Sequence, residues 1–221
     1  MRYPLAERFV SINGEGQRAG QLAVFLRFRG CNLDCSYCDT AWACAPDCPA
    51  EELSAAEISD YVKQSGVSLV TVTGGEPLSC AGMLELLREL SALPGILVEV
   101  ETNGSVPLAS FVEAVPSLSI TMDYKLPSSG MEGQMHLPNL ELLRPWDTLK
   151  FVCGSRKDML RGREILAQYP SLMQVPTFFS PVFGEILPAE MVSFLQEFKL
   201  TNVRLQLQLH KMIWPAEQRG V

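Results

Sequence analysis

AVFLRFRGCNLDCSYCDT, residues 23–40, joins an apolar run of β-strand type to a loop that carries three cysteines. The cysteines follow the run at positions 31, 35 and 38. Similar apolar, β-branched runs recur along the chain, and amphipathic helical patterns lie between them. This alternation predicts a βα fold whose strands are mostly buried and parallel.

About six βα units are predicted from these patterns. The predicted strands span residues 23–28, 69–74, 96–103, 118–125, 148–154, 173–182 and 203–209. The predicted helices span residues 51–65, 80–93, 107–115, 156–169 and 188–199. Start signals support several helices, such as Ser54 ahead of Glu57, or Pro107 and Pro188 near a first turn.

A closed barrel needs eight such units and about 250 residues. The chain has 221 residues, so we expect a single domain over residues 1–221 with an α/β fold, an open partial barrel of the (β/α)6 type. Functional residues should lie at the C-terminal ends of its strands. The cysteine loop, TGGEP (73–77), ETNG (101–104), DYK (123–125) and SPV (180–182) all follow or end predicted strands.

Charge and composition exclude several classes of partner. The chain has 18 Lys and Arg against 25 Asp and Glu, a net charge of -7, which argues against direct binding of nucleic acid. The sequence shows no apolar run typical of a signal peptide or a membrane span, so a cytoplasmic protein without a membrane partner is expected. Seven cysteines, an odd number, favour metal binding or catalysis over a disulfide framework.

Three kinds of site fit the cysteine triplet by itself. A structural zinc ion needs four ligands, and Cys44 or Cys48 can complete the set. A redox dithiol needs the C-x-x-C spacing of Cys35 and Cys38 but leaves Cys31 without a role. An iron-sulfur cluster held by three thiolates leaves one iron with open positions, where a substrate can bind.

The motif C-x3-C-x2-C, with Tyr37 before its last cysteine and GGEP at 74–77, resembles the radical S-adenosylmethionine superfamily. Within it, the chain is most similar to the 7-carboxy-7-deazaguanine synthase family. The matching segments are SINGEGQRAG (11–20), FLRFRGCNLDCSYCDT (25–40), VTGGEP (72–77), VEVETNG (98–104), DYKLPSSGM (123–131), LKFV (149–152) and QLHKMIWPAEQRGV (208–221). Two segments differ from the family pattern: Asn13 stands in place of a glutamine, and DYK stands where some members have SPK.

This resemblance implies a radical S-adenosylmethionine carbon-nitrogen lyase. Its reaction converts 6-carboxy-5,6,7,8-tetrahydropterin to 7-carboxy-7-deazaguanine with loss of ammonia, in the biosynthesis of queuosine and other deazapurines. The implied cofactors are a 4Fe-4S cluster on Cys31, Cys35 and Cys38, S-adenosylmethionine and Mg²⁺. The implied partners are a flavodoxin or ferredoxin as electron donor and a second copy of the chain.

The resemblance also assigns residues to the cofactors, which carry the chemistry without a catalytic side chain. The residues implied to bind S-adenosylmethionine are Tyr37, Cys38, Asp39, Gly74, Gly75, Glu76, Asp123, Tyr124 and Lys125. The paired glycines allow the backbone to approach the cofactor closely. Thr40 is implied to supply a hydroxyl ligand to Mg²⁺. The alternative for Thr40 is a residue that caps the start of a turn.

A second set of residues is implied to bind the substrate: Ile12, Asn13, Gly14, Glu15, Arg27, Thr73 and the C-terminal residue Val221. The guanidinium of Arg27 suits bidentate binding of the pterin carboxylate, and its alternative is a buried ion pair with an acid. The carboxylate of Glu15 can accept hydrogen bonds from the guanidine-like edge of the pterin. Its alternative is a solvated position in a hairpin turn.

Two other functions remain open at this point. An enzyme that places a glycyl radical on a partner protein shares the cysteine triplet, but it gives no reason for Arg27, Thr40 or the NGEG segment. A zinc or iron-sulfur binding module predicts a fourth ligand from Cys44 or Cys48. We expect no catalytic role for either histidine, His136 or His210.

Overall fold

The strands of the computed structural model, which describes residues 1–45, 47–216 and 218–221, form one nine-stranded sheet. In chain order they are β1 (Arg2–Ile12), β2 (Leu22–Phe28), β3 (Glu51–Ser54), β4 (Leu69–Gly74), β5 (Leu97–Thr102), β6 (Ser119–Tyr124), β7 (Thr148–Cys153), β8 (Thr177–Pro181) and β9 (Val203–Leu205). Their order across the sheet is β3-β1-β2-β4-β5-β6-β7-β8-β9. β1 is antiparallel to β2 and β3, and all the other pairs are parallel. Because β3 and β9 lie at opposite edges, the barrel is open.

Helices lie between the strands, and the last helix follows β9. They are α1 (Ala41–Cys44), α2 (Ala55–Ser65), α3 (Met83–Ser91), α4 (Ala109–Ala114), α5 (Asn139–Leu142), α6 (Arg156–Gln168), α7 (Pro188–Phe198) and α8 (Leu209–Ile213). From α2 to α7, each helix precedes the next parallel strand, which confirms the prediction of an open α/β barrel with about six βα units. Within the described ranges, no helix combines the length and apolar character that a membrane crossing requires.

The two faces of the sheet differ in chemistry because successive side chains of a strand point to opposite sides. In β2, Val24 and Leu26 pack into the main apolar core, whereas Phe25 and Arg27 line a cavity on the other face. The parallel strands that follow β2 repeat this alternation. Polar residues on their inner face include Thr71, Thr73, Glu99, Glu101, Thr121, Asp123 and Lys150. The barrel therefore has an apolar outer layer under its helices and a polar interior.

One predicted helix begins later than expected. Residues 51–54 form β3, which pairs with β1, and α2 begins at Ala55. The Ser54 hydroxyl accepts a hydrogen bond from the Glu57 N–H, and the Glu57 carboxylate accepts one from the Ser54 N–H at 2.7 Å. The predicted capping signal is confirmed. Because the capping residue precedes the helix, the residues before Ser54 lie outside it.

The observed strands differ from the predicted ones at three places. The long strand β1 was not predicted, and its register shifts between Leu5 and Glu7. The strand predicted at 173–182 is confined to β8, because a 3-10 turn occupies Pro170–Gln174. The strand predicted at 203–209 ends at Leu205, since α8 begins at Leu209.

Candidate active site

A cavity of about 780 Å³ opens on the inner face of the barrel, at the C-terminal ends of the parallel strands. Each of the five segments predicted to lie at these ends contributes to its wall, which confirms that prediction. The contributing residues are Cys31, Leu33, Cys35, Ser36, Tyr37, Cys38, Asp39, Thr40, Thr73, Gly74, Gly75, Glu101, Thr102, Asn103, Asp123, Lys125 and Val182.

The three cysteines of the loop are free thiols that face this cavity. The backbone N–H of Leu33 donates to the sulfur of Cys31 at 3.4 Å, and the side-chain amide of Asn103 donates at 3.7 Å. The neighbouring Cys44 thiol is the main influence that lowers the pKa of Cys31 and of Cys38 to about 6, and nearby hydrogen-bond donors add to its effect. These donors favour the thiolate form that binds metals.

Cys44 and Cys48, each considered as a fourth metal ligand, lie in different environments. Cys44 lies in α1 beside Cys31 and Cys38 and lines the cavity. Cys48 is buried, and its thiol donates to the carbonyl oxygen of Pro49. Of this pair, Cys44 is therefore the thiol that lies beside the triplet.

The TGGEP segment packs against the residues that lead into the cysteine loop. The N–H of Gly75 donates to Phe28 O at 3.2 Å, and the N–H of Glu76 donates to Gly30 O at 2.9 Å. A Cβ atom on Gly74 would collide with the backbone of Phe28, and one on Gly75 would collide with the carbonyl group of Gly30. The glycines therefore permit a close approach of two backbone segments, in addition to any approach to a cofactor.

The side chain of Glu76 is buried behind the cavity wall instead of lining it, so it does not face a cofactor there. Its carboxylate accepts hydrogen bonds from the N–H groups of Leu78 and Asn103 and from the hydroxyl of Thr102. Burial raises the pKa of Glu76 to about 7. Because Asn103 also donates to Cys31, Glu76 holds a residue that contacts the cysteine loop.

An ionic network formed by β6, β7 and the NGEG segment also lines the cavity. Lys125 Nζ lies 3.0 Å from Asp123 Oδ2. Lys150, which the sequence did not single out, lies 3.0 Å from Glu15 Oε2 and 3.5 Å from Asp123 Oδ2. Tyr124 points to the opposite face of β6 and packs against Phe151, so its side chain does not line the cavity.

The NGEG segment follows β1 and crosses the interior of the barrel. Ile12, Gly14 and Glu15 line the cavity. The alternative of a solvated Glu15 is wrong, because its side chain is 11% exposed and pairs with Lys150. Asn13 is buried, and its amide donates to Glu99 Oε2 at 3.0 Å. The Asn13 side chain therefore fixes the segment to the sheet.

The C-terminal segment holds the NGEG segment from the other side. Gln206 accepts from the N–H of Gly16 at 2.7 Å and donates to its carbonyl at 3.0 Å. His210, for which no catalytic role was expected, lines the cavity, and its imidazole ring lies against Gly14. Lys211 pairs with Asp39 at 2.9 Å, and Val221 also lines the cavity.

Arg27, Thr73 and Thr40 also line the cavity. The Arg27 Nε donates to Glu7 Oε1 at 2.7 Å, so the ion pair considered as an alternative is present, with an acid from β1. The Thr73 hydroxyl donates to Glu101 at 2.8 Å. Thr40 precedes α1 without a side-chain capping bond, and its oxygen lies 3.7 Å from the Cys38 sulfur. The alternative of a capping threonine therefore has no support in this helix.

The family model described as the Radical SAM superfamily matches residues 25–124. A 7-carboxy-7-deazaguanine synthase from Clostridium acetobutylicum is 47% identical over 221 residues and is covered, like this chain, over 100% of its length. The chain belongs to the 7-carboxy-7-deazaguanine synthase family. A synthase from Leptospira interrogans is 34% identical, with 97% of this chain and 96% of that protein covered.

Membership of the 7-carboxy-7-deazaguanine synthase family makes the chain a radical S-adenosylmethionine enzyme of deazapurine biosynthesis. The crystal structure of QueE from Escherichia coli has the same fold, with a TM-score of 0.72 and 23% identity over 94% of each chain. The superfamily uses a 4Fe-4S cluster and S-adenosylmethionine.

The donor set at the cavity fits an iron-sulfur cluster and a polar cofactor. In the described part of the chain, no three His, Cys, Asp or Glu side chains converge on one metal ion. A 4Fe-4S cluster does not require such convergence, since each thiolate binds a different iron. Asp123 Oδ1 and Glu15 Oε1 are buried with no hydrogen-bond partner among the described residues, and both acids line the cavity. These acceptors are available to ligand donors.

Glu99, on the inner face of β5, gives a testable pH dependence. Burial raises its pKa to about 7, against 4.5 for an exposed glutamate, and Glu101 and Arg18 are the charged groups that influence it. A carboxyl group with a raised pKa stabilises the fold below pH 4.5, and this contribution is lost as the pH rises toward 7. The shift corresponds to about 3 kcal/mol of unfolding free energy.

The unfolding free energy of the wild type is expected to fall between pH 4.5 and 7. In Glu99→Gln this fall is expected to be smaller by up to about 3 kcal/mol. Urea unfolding of the cluster-free chain at several pH values measures the effect, with the exposed Glu113→Gln as the control. Equal pH slopes for the wild type and Glu99→Gln would contradict this prediction.

Proposed function

We propose that this chain converts 6-carboxy-5,6,7,8-tetrahydropterin to 7-carboxy-7-deazaguanine with loss of ammonia. The main observation in support is that the three cysteines share one cavity with side chains suited to a pterin carboxylate and to its guanidine-like edge. Family membership supports the same reaction. A glycyl-radical activating enzyme gives no reason for this second set of side chains.

Cys31, Cys35 and Cys38 are proposed to hold the cluster, and the neighbouring cavity wall to hold S-adenosylmethionine. When bound, these cofactors supply the radical that takes hydrogen from the substrate. Asp123 offers its buried Oδ1 atom as an acceptor, while Lys125 holds its other oxygen. Tyr37 is placed by the bond from its hydroxyl to Val152 O at 3.3 Å.

The other proposed contacts to S-adenosylmethionine involve the loop and the strand ends. Asp39, Gly74 and Gly75 line the cavity and can contribute side-chain or backbone atoms. Glu76 and Tyr124 do not line it, so we propose that they act through their neighbours. The cofactor therefore depends on both the cysteine loop and the ends of β4 and β6.

The substrate is proposed to lie in the cavity beside Glu15 and Arg27. Glu15 Oε1 can accept hydrogen bonds from the amino-pyrimidine edge of the pterin, because Lys150 occupies only its other oxygen. Arg27 uses Nε for Glu7, which leaves its two terminal nitrogens to face a carboxylate. The remaining proposed contacts come from Ile12, Asn13, Gly14, Thr73 and Val221. Of these, Asn13 acts through its backbone, since its side chain bonds to Glu99.

Thr40 is proposed to bind Mg²⁺ through its hydroxyl group, with substrate oxygens and water as the other ligands. We expect Thr40→Ala to lose the stimulation of turnover by Mg²⁺, and Thr40→Ser to keep it because the hydroxyl remains. Initial rates measured over a MgCl₂ titration distinguish the two variants. An unchanged Mg²⁺ dependence in Thr40→Ala would exclude Thr40 as the ligand.

A homodimer, a cytoplasmic location and a flavodoxin or ferredoxin as electron donor complete the proposal. The product is proposed to enter queuosine synthesis for tRNA modification or another deazapurine pathway. Family membership and the absence of an overall positive charge are consistent with a small-molecule substrate.

The position of Cys44 supports a second candidate, an iron-sulfur or zinc module with four thiolate ligands. Replacing Cys44 and Cys48 by serine separates it from the synthase. A synthase keeps its full iron content in this double variant, whereas a four-cysteine module loses it.

The decisive experiment is anaerobic reconstitution with iron and sulfide, followed by incubation with S-adenosylmethionine, reductant, Mg²⁺ and the carboxytetrahydropterin. Formation of 7-carboxy-7-deazaguanine, detected by mass, supports the proposal. Formation of 5′-deoxyadenosine without this product would retain the superfamily chemistry and overturn the substrate.

A further inference from the structure

Lys150 lies where the proposed substrate and cofactor sites meet. It projects from β7 into the cavity, with its side chain 10% exposed. Its Nζ lies 3.0 Å from Glu15 of the NGEG segment and 3.5 Å from Asp123 of β6. These two acids belong to separate segments, 108 residues apart in sequence, and no other cation in the described chain pairs with both.

The two acids have the same bonding pattern. Each carboxylate places one oxygen next to Lys150 and buries its other oxygen without a hydrogen-bond partner among the described residues. A buried carboxylate oxygen without a donor is costly, which makes both free atoms favourable acceptors for a ligand. In the proposed site, Glu15 Oε1 is the acceptor for the substrate and Asp123 Oδ1 is the acceptor for S-adenosylmethionine.

Electrostatics keeps Lys150 in place. Burial opposes its charge, but the carboxylates of Glu15, Asp123 and Glu101 outweigh burial and hold the pKa of Lys150 well above its ordinary value. Lys125 is the other cation beside Asp123, at 3.0 Å, and no ion pair joins it to Glu15 in the described chain. Lys150 is therefore a charged bridge between the acids, whereas Lys125 belongs to the cofactor side.

We infer that Lys150 is a positioning residue that couples the binding of substrate to the binding of S-adenosylmethionine, an inference that rests on the proposed function. A donor bound at Glu15 Oε1 fixes the carboxylate, and the ion pair fixes Lys150 Nζ against Asp123. The Asp123 carboxylate is then held in the orientation in which Oδ1 faces the cofactor. By linkage, each ligand strengthens the binding of the other by the same factor.

The test measures equilibrium binding to the reconstituted enzyme without reductant, so that no turnover occurs. The dissociation constant of S-adenosylmethionine is measured with and without the carboxytetrahydropterin, and the reverse measurement checks reciprocity. For the wild type we expect each ligand to tighten the other about fivefold or more, within the usual range of allosteric coupling. The variants are Lys150→Met, Lys150→Arg and, as a matched surface control, Lys63→Met, whose side chain is 57% exposed.

Lys150→Met is expected to bring the coupling factor close to one, because no cation joins Glu15 to Asp123. Lys150→Arg is expected to keep part of the coupling, and Lys63→Met is expected to have the coupling factor of the wild type. A purely structural role would weaken both ligands and leave the coupling factor unchanged. If Lys150→Met does not fold, Lys150→Gln places a neutral hydrogen-bond donor beside Glu15 in its stead, and the coupling factor is again expected to be close to one.

Two results would overturn the inference while the proposed function stands. One is a wild-type enzyme that binds both ligands without coupling, and the other is normal coupling in Lys150→Met or in Lys150→Gln. A wild-type enzyme that binds S-adenosylmethionine but not the pterin would instead overturn the proposed function. The inference about Lys150 would then fail as well, because it needs the pterin as the second ligand.

Discussion

Serine at any one of Cys31, Cys35 or Cys38 is expected to abolish product formation and to lower the iron content from about four atoms per chain to near zero. Each thiolate binds a separate iron, so a missing thiolate opens a second iron to solvent and the cluster is lost during reconstitution. The hydroxyl of serine is a poor replacement because iron-sulfur clusters prefer soft sulfur ligands. Iron and sulfide analysis and the charge-transfer absorbance of the reconstituted protein measure the loss.

Cys80→Ser provides the matched control for these variants. The Cys80 thiol is half-buried, donates to the carbonyl oxygen of Ala81 and lies outside the cavity wall. We expect this variant to keep its iron and its activity. A variant of the triplet that keeps four irons and full turnover would show that the cluster is bound elsewhere.

The central parallel strands, β4 to β7, were predictable because each is buried on at least one face. β4 was predicted with its observed bounds, 69–74, since every one of its residues is buried between the helices and the cavity. The predicted strands 96–103 and 118–125 are each one residue longer at both ends than β5 and β6. The predicted strand 148–154 is one residue longer than β7 at its C-terminal end. Strongly buried strands have continuous apolar or β-branched sequences, which can be recognised from the sequence alone.

The antiparallel edge was not predictable by the same pattern. β1 contains Pro4, and its alternation is interrupted where the register shifts between Leu5 and Glu7. Most of its residues are half-buried, so it lacks the continuous apolar run of a central strand. β3 is short and begins with exposed acids, because it lies at the edge of the sheet. Pairing with β1, instead of local preference, makes residues 51–54 a strand.

The site residues that belong to sequence motifs could be predicted. The residues that were missed lie outside these motifs. The cysteine loop, Gly75 and Asp123 belong to recognisable segments and line the cavity. Lys150 and Glu7 were not singled out, although an isolated charge in the apolar run TLKFVCG was a signal for Lys150. A charged residue in a buried strand requires a partner. That partner comes from distant segments, which the sequence alone does not bring together.

Gly75→Ala is expected to destabilise the folded chain by about 1–3 kcal/mol and to lower the yield of cluster in reconstitution. A Cβ atom at this position would meet the backbone carbonyl of Gly30 and lie 2.7 Å from the Cβ of Cys31. Relief of this collision requires the entrance of the cysteine loop to move away from the TGGEP segment. The hydrogen bond from the Glu76 N–H to Gly30 O, 2.9 Å long, weakens as the segments separate.

The matched control is Gly133→Ala, because a Cβ atom at Gly133 meets nothing within 4 Å and its backbone is not in the left-handed region. Urea unfolding of both cluster-free variants, followed by iron analysis after reconstitution, separates two reasons for glycine at 75. If the glycine serves backbone packing, the cluster-free Gly75→Ala chain is already less stable than Gly133→Ala. If it serves only the approach of the cofactor, the two chains unfold alike, iron binding is normal and only the affinity for S-adenosylmethionine falls. The contacts with Gly30 and Cys31 support the first reason, so equal stability of the two cluster-free chains would contradict the prediction.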